Sequence, residues 1–418
     1  MNDPALLEAL IKRGVLIHAP AATILEDLDP EAIEPEVQIF PGCTVRGPRT
    51  RLGRGTRLGR AGGGWFEDVA TGRNVDLYGG YFQEAVFLDG VTVRGHAEMR
   101  GGTLMEEESE AAQHVGYKMT IAFPWVIAGS LVNFCDALVA GGTGRKDHTE
   151  IGSSIALYNF TPRGDKFASL FGDVPRGIFL RSPRIFVGGQ AQIISPVQVG
   201  FGAVLVAGSG VRRSVPEGTV HGEQPVVLDR PMELNRYGAV ARLFRLTAEY
   251  VGQLRALEAW YSLVRIPGVS SGPHIDPHEA GVYQAALGQI RAGAAERVRR
   301  LGALVERLPT SVALHRRAVE EASGDGAARH RAHILEQETL VAAWPRSRLA
   351  LEAPVPAHLL APLGPLGDRY AAHCAAKGRT DYLGFVTSAL SDSEVEEGRA
   401  ALQRVVDWVV GGAGLAER

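Results

Sequence analysis

From residue 187 to residue 211 the chain places an aliphatic residue at every sixth position: Val187, Ile193, Val199, Leu205 and Val211. Earlier stretches keep the same interval in other phases. Val69, Val75, Tyr81, Phe87, Val93 and Met99 form one run, Ile33, Ile39 and Val45 another, and Val115, Ile121 and Ile127 a third. A period of six fits neither the 3.6 of a helix nor the two of a plain strand. It fits short strands joined by tight turns, each turning one apolar residue inward, three faces making a coil of roughly eighteen residues. A coil burying about three such side chains gains roughly 1.5–3 kcal/mol for each before ordering costs, so only stacking makes a domain. The sequence therefore predicts a parallel β-helix over residues 30–229, preceded by an N-terminal helix and lead-in over 1–29. Phase slips place insertions near 60–68, 102–112 and 140–148, which are rich in Gly or charge.

Beyond Pro225 and Pro231 the pattern changes. Residues 238–265 and 278–307 carry apolar residues at three-and-four spacing with Arg and Glu between them, as amphipathic helices do. Residues 310–343 read as helical, and 391–410 open on acidic residues, as a helix start favours. The Pro-rich 344–366 reads as a loop. Residues 235–418 are thus expected to form an α-helical domain, suited to closing the open end of the solenoid.

Composition narrows the function. With 44 Lys and Arg against 47 Asp and Glu the net charge is -3, which supplies no basic field for nucleic acid. Three widely spaced thiols, Cys43, Cys135 and Cys374, suit a reducing compartment. The first residues lack the basic start and unbroken apolar core of a signal peptide, and no apolar run reaches membrane-spanning length. A cytoplasmic protein without membrane or nucleic-acid partners is expected. The 51 glycines alternate with aliphatic residues, as the corners of a repeat require.

Residues 114–215 contain Tyr158-Asn159-Phe160, then Lys166-Phe167, then IFVGGQAQIISPVQVGFGAVLVAGSGVRRSV. This stretch resembles the C-terminal half of the bacterial bifunctional N-acetylglucosamine-1-phosphate uridylyltransferase/glucosamine-1-phosphate acetyltransferase, and GVLIHAPAATILEDLDPEAIEPEVQIFPGCTVRG is similar to the start of its helix. The resemblance covers about half the chain. It implies a left-handed coil, a homotrimer with sites between neighbouring subunits, acetyl-CoA as cofactor, and a sugar phosphate or nucleotide sugar as ligand. Carried over by position, Asn159 matches a substrate-contacting Asn, Lys166 a phosphate-side Lys, and Ala207 a backbone contact to acetyl-CoA. Phe134 falls where the family has its catalytic His, Ala137 on a Tyr, Ala122 on a Lys, Glu150 on an Asn and Gly189 on a Ser.

Acetyl transfer to an amine needs a base to take the amine proton, and phenylalanine cannot serve; losing a general base costs roughly 10²- to 10⁴-fold. His148, in the loop 140–148, is the candidate replacement, set against a solvated loop histidine. Two functions follow: acyl transfer from acetyl-CoA or another acyl-CoA to a sugar phosphate or nucleotide sugar, or a catalytically silent β-helix that binds a nucleotide sugar or scaffolds partners. Other motifs read as structural. Residues 138–146 suit a loop at a solenoid corner better than a nucleotide cradle, and the set His274, Asp276, His278 and Glu279 suits a helix start better than zinc. His96, His114 and His148 are too scattered for a metal trio.

Overall fold

The computed structural model describes residues 3–414 apart from 225, 230 and 231. Pro225 and Pro231, where the sequence texture changes, lie outside the described residues. The first half is a parallel β-solenoid whose strands run from Leu16–Ile17 to Val220–His221, opening ahead of residue 30. One face stacks eleven strands, and the other fifteen form a sheet that bends around the remaining two faces. Partners stand one coil apart: Thr92 pairs with Glu110 and Phe186 with Val204, eighteen residues on in each case.

The repeat fills the interior as its spacing requires, with Val187, Ile193, Val199, Leu205 and Val211 all buried. Three expected hits turn outward, among them Ile121, which the helices bury outside the coil. Tyr81 is exposed and Phe82 takes the interior place, because the coil here is shorter than eighteen residues: Phe66 pairs with Phe82 and Thr71 with Phe87, sixteen apart in each case. Ile127 is half-buried while Val126 and Ala128 face inward. Residues 102–112 are no insertion, since Leu104–Met105 and Glu110–Ala111 pair in register with the coil before. The larger interruption falls at 159–184, where a loop and a short helix lengthen one coil so that Glu150 pairs with Phe186. Gly172 (φ +74°) lets the chain pass here, for a Cβ would meet the Ala140 Cβ at 2.6 Å.

Helix α1 (Pro4–Lys12) covers the first coil and buries Leu10 completely. Helix α2 (Val174–Gly177) lies within the long interruption. The second half comprises α3 (Ala241–Trp260), a π turn (Tyr261–Arg265), α4 (Ile266–Ser270), α5 (Pro277–Val305), α6 (Leu308–Glu321), α7 (Gly324–Glu352), α8 (Ala357–Leu360), α9 (Gly364–Lys377), α10 (Tyr382–Gly384) and α11 (Asp392–Gly412). The expected loop at 344–366 is instead largely helical. α7 continues through Pro345, because Trp344 lies against Gly302 and Phe244 and Leu351 is fully buried, and that packing outweighs the local cost of proline.

The helices do not cap the solenoid's end; they lie along its side. α5 packs on the strands Ala70–Thr71 and Val86–Phe87, and one hydrophobic core runs from Leu10 to Val406 through both halves. Phe87 meets the interior Phe82 edge-on and Phe171 stacks on the interior Phe134, so the residues preceding them point the other way. That outward column, in register, is Ala70, Val86, Leu104, Ile121, Leu138 and Leu170, all buried. These strands are apolar on both sides because helices cover the outer one.

Buried polar contacts fix the junction. Arg265, fully buried, meets Glu107 through both terminal nitrogens at 2.6 and 3.1 Å, and the Tyr261 hydroxyl donates to Glu106 at 2.6 Å. Asp276 caps α5 by accepting from the Glu279 amide at 3.1 Å and pairs with Arg73. His278 contacts the Thr71 carbonyl at 2.9 Å through Nε2. Asp276 and His278 are thus structural groups of this junction. Among the described residues no helix is long and apolar enough to cross a membrane, and no cluster of His, Cys, Asp and Glu is arranged to hold a metal.

Candidate functional site

The strands Gly116–Ala122 and Asn133–Val139 are seven residues long because each turns a corner without a break, at Met119 (φ +51°) and Asp136 (φ +61°). With Gly102 these corners stack in a column. α5 lies across it, Gln289, Gly293 and Arg297 on one stripe at spacing four. Gln289 Oε1 accepts from the Gly102 amide at 2.8 Å, and Arg297 reaches the Asp136 carboxylate.

Beside this seam is a cavity of about 530 Å³, a ligand-sized volume. The solenoid corners contribute Arg100, Lys118, Met119, Cys135 and Asp136; the 159–167 loop contributes Asn159, Phe160 and Lys166; α5 contributes Ala292, Glu296 and Arg300. Asn159 and Lys166, seven positions apart, come together because the loop folds back on itself. Phe160 and Lys166 form an antiparallel bridge, and the Phe167 amide donates to the Asn159 carbonyl at 3.0 Å. Asp165 braces the turn, taking Arg307 at 2.8 Å and the Tyr237 hydroxyl at 3.0 Å.

Charge in the cavity is predominantly positive. Four cationic side chains line it against two carboxylates, and both carboxylates are already held by arginines. Asp136 receives the Asn159 amide on one oxygen and Arg297 on the other. Burial raises the Asp136 carboxyl above its ordinary range, and Arg297 opposes that rise. Glu296 takes Arg299 at 2.7 Å and Arg300 at 2.8 Å. Its burial is outweighed by these hydrogen bonds, and its carboxyl lies below the usual value. Lys118 and Lys166 have no carboxylate within 4 Å among the described residues, and Lys166 Nζ stands 5.7 Å from the centre of the exposed Phe160 ring. Burial raises the Cys135 thiol.

The other expected positions lie elsewhere. His148 does not line the cavity. Its Nε2 faces Glu150 Oε2 at 2.8 Å and its Nδ1 the Arg145 carbonyl at 2.9 Å. Each ring nitrogen thus faces an oxygen of the 145–150 segment, away from the Asn159–Lys166 cavity. Phe134, Ala137 and Ala122 are buried in the coil interior. Alternation turns their neighbours outward, and from the strand of Phe134 the cavity receives Cys135 and Asp136. Ala207 is exposed at a corner after the strand Val204–Leu205, outside the cavity lining. The sequence reading missed Arg100, Lys118, Asp136 and the whole contribution of α5. Asp136 alone left a mark, a carboxylate inside the apolar run from Phe134 to Ala140.

Stacked parallel coils with an inward residue every six positions define the class: a hexapeptide-repeat left-handed β-helix followed by an α-helical domain. Among its curated relatives is the bifunctional protein GlmU of several bacteria, and the β-helix is of the kind formed by GlmU's C-terminal part. The Streptococcus agalactiae serotype V protein is 27% identical over 203 residues, 49% of this chain and 39% of the relative. That of Nitratidesulfovibrio vulgaris strain DP4 is 27% identical over 235 residues, 53% and 46%, and that of Pelobacter propionicus 25% over 239 residues, 57% and 46%. The chain thus spans less than half the length of these relatives. No family model matches it. Among solved structures, LpxA from Acinetobacter baumannii aligns over 48% of this chain and 69% of its own with 16% identity and a TM-score of 0.26, an overlap too small to add to the argument.

Proposed function

We propose that the cavity at Asn159 and Lys166 is the substrate site of a hexapeptide-repeat transferase, holding the phosphate of a sugar phosphate or nucleotide sugar. Acetyl-CoA or another acyl-CoA is the proposed donor, lying along the coils at 185–213 with Ala207 at a backbone contact. The observation that carries this reading is the convergence of Asn159 and Lys166 in a cavity with four cations, two of them without a carboxylate partner. A phosphate dianion satisfies unpaired cations that a neutral ligand would leave desolvated.

A second reading, a binder without transferase activity, is favoured by one feature. No histidine lines the cavity, and its two carboxylates are occupied by arginines. Proton removal from an acceptor amine would require Asp136 to leave Arg297.

Calorimetry decides between them. Micromolar acetyl-CoA binding, together with a sugar phosphate affinity that falls about tenfold or more in Asn159→Ala and Lys166→Ala, supports the transferase. Sugar phosphate binding without acetyl-CoA binding leaves the binder, and neither sinks both.

A further inference from the structure

The cavity is walled from both halves of the chain. Ala292, Glu296 and Arg300 are spaced by four along α5, which sets them on one stripe, beside the stripe that grips the corner column. Alanine at 292 leaves the opening clear, while the two charged side chains stand about three-quarters buried, with exposures of 22% and 24%. Arg299, the other partner of Glu296, is 61% exposed and lines a different depression between α5 and α7. A shared carboxylate therefore holds one arginine toward the solenoid cavity and the other away from it.

We infer that the helical half is a working part of the site. Arg300, aligned by Glu296, contacts the anionic group of the ligand as the fourth cation beside Arg100, Lys118 and Lys166. This rests on the reading that the Asn159–Lys166 cavity takes a phosphate-bearing ligand. It gives the helices a function beyond covering apolar strands, and it makes α5 a determinant of which anion fits.

A native reporter tests it. Cys43 and Cys374 are buried, whereas Cys135 is partly exposed and lines the cavity. The rate of Cys135 labelling by a dianionic aryl disulfide, divided by that with neutral iodoacetamide, reads the local positive potential. Arg300→Ala should lower this ratio about threefold or more, because a nearby cation concentrates the anionic reagent. Arg299→Ala, an equal charge change on the outer side, should leave it unaltered. An unchanged ratio in Arg300→Ala, or an equal fall in both variants, overturns the inference. In a second arm, glucosamine 1-phosphate should protect Cys135 in the native chain and do so less well in Arg300→Ala; equal protection in both also overturns it. If the sugar phosphate protects neither while the labelling ratio still falls in Arg300→Ala alone, the sugar-phosphate reading fails and the cationic wall from α5 stands.

Discussion

Asp136 shows how one residue ties the two halves together. Its carboxylate is nearly inaccessible, and it takes the Asn159 amide on one side and Arg297 of α5 on the other. Removing the arginine leaves a buried charge unpaired, which costs far more than the pair itself contributes. Arg297→Met should therefore destabilise the chain by about 3–5 kcal/mol. Asp136→Asn combined with Arg297→Met should recover much of that loss, because no charge is then stranded. Urea midpoints for the two single variants and the double variant measure the coupling, and strict additivity would count against it. Asn159→Ala keeps the ion pair and should leave stability within about 1 kcal/mol of the native chain.

At the level of elements, the junction between solenoid and helices responds to pH. Burial pushes the Glu106 carboxyl up from 4.5 to about 7, against the pull of Arg265 and with the neighbouring Glu107 adding to the rise. Between those two values the folded chain keeps a proton that the unfolded chain has released. Stability from this group is therefore full below pH 4.5 and is lost as pH rises toward 7. Glu106→Gln does not titrate and still offers an oxygen to the Tyr261 hydroxyl. Its unfolding free energy should gain on the native chain by on the order of 2 kcal/mol between pH 4.5 and pH 7. Parallel curves across that range would remove Glu106 as the source.

These elements also show what a sequence can reveal. The coils at 185–213 were legible because every interior position is aliphatic and no insertion disturbs the count. Around 79–82 and 123–128 the period failed where coils of sixteen and seventeen residues shifted the phase, and a strict interval of six cannot register that. Asn159 and Lys166 were legible only through the family resemblance, since their approach depends on a loop closing by backbone pairing. Arg297 and Arg300 could not be seen at all. A helix whose Arg and Glu alternate with apolar residues looks solvent-facing until its neighbour is known.

On the scale of the whole molecule, the two halves share one hydrophobic core. A coil strand packed on one side alone alternates inward aliphatic with outward polar residues, as the eleven-strand face does at Gln38–Ile39 and Arg57–Leu58. The face beneath the helices instead presents Val86, Leu104, Ile121, Leu138 and Leu170 outward, all buried. Deleting residues 235–418 would bare that column, an exposed apolar strip on strands whose corners also lose the Gln289 and Arg297 contacts. The truncated chain should aggregate or bind a hydrophobic dye, where the full chain elutes as a single species. Replacing Leu104 and Ile121 by Thr in the truncated chain should reduce that aggregation, because β-branched polar residues suit an exposed strand face. Chromatography with light scattering on the three chains measures this. A soluble, well-folded truncation would show that the solenoid stands alone and that the helices are an appendage, which would also remove the structural basis for α5 as a fixed wall of the site.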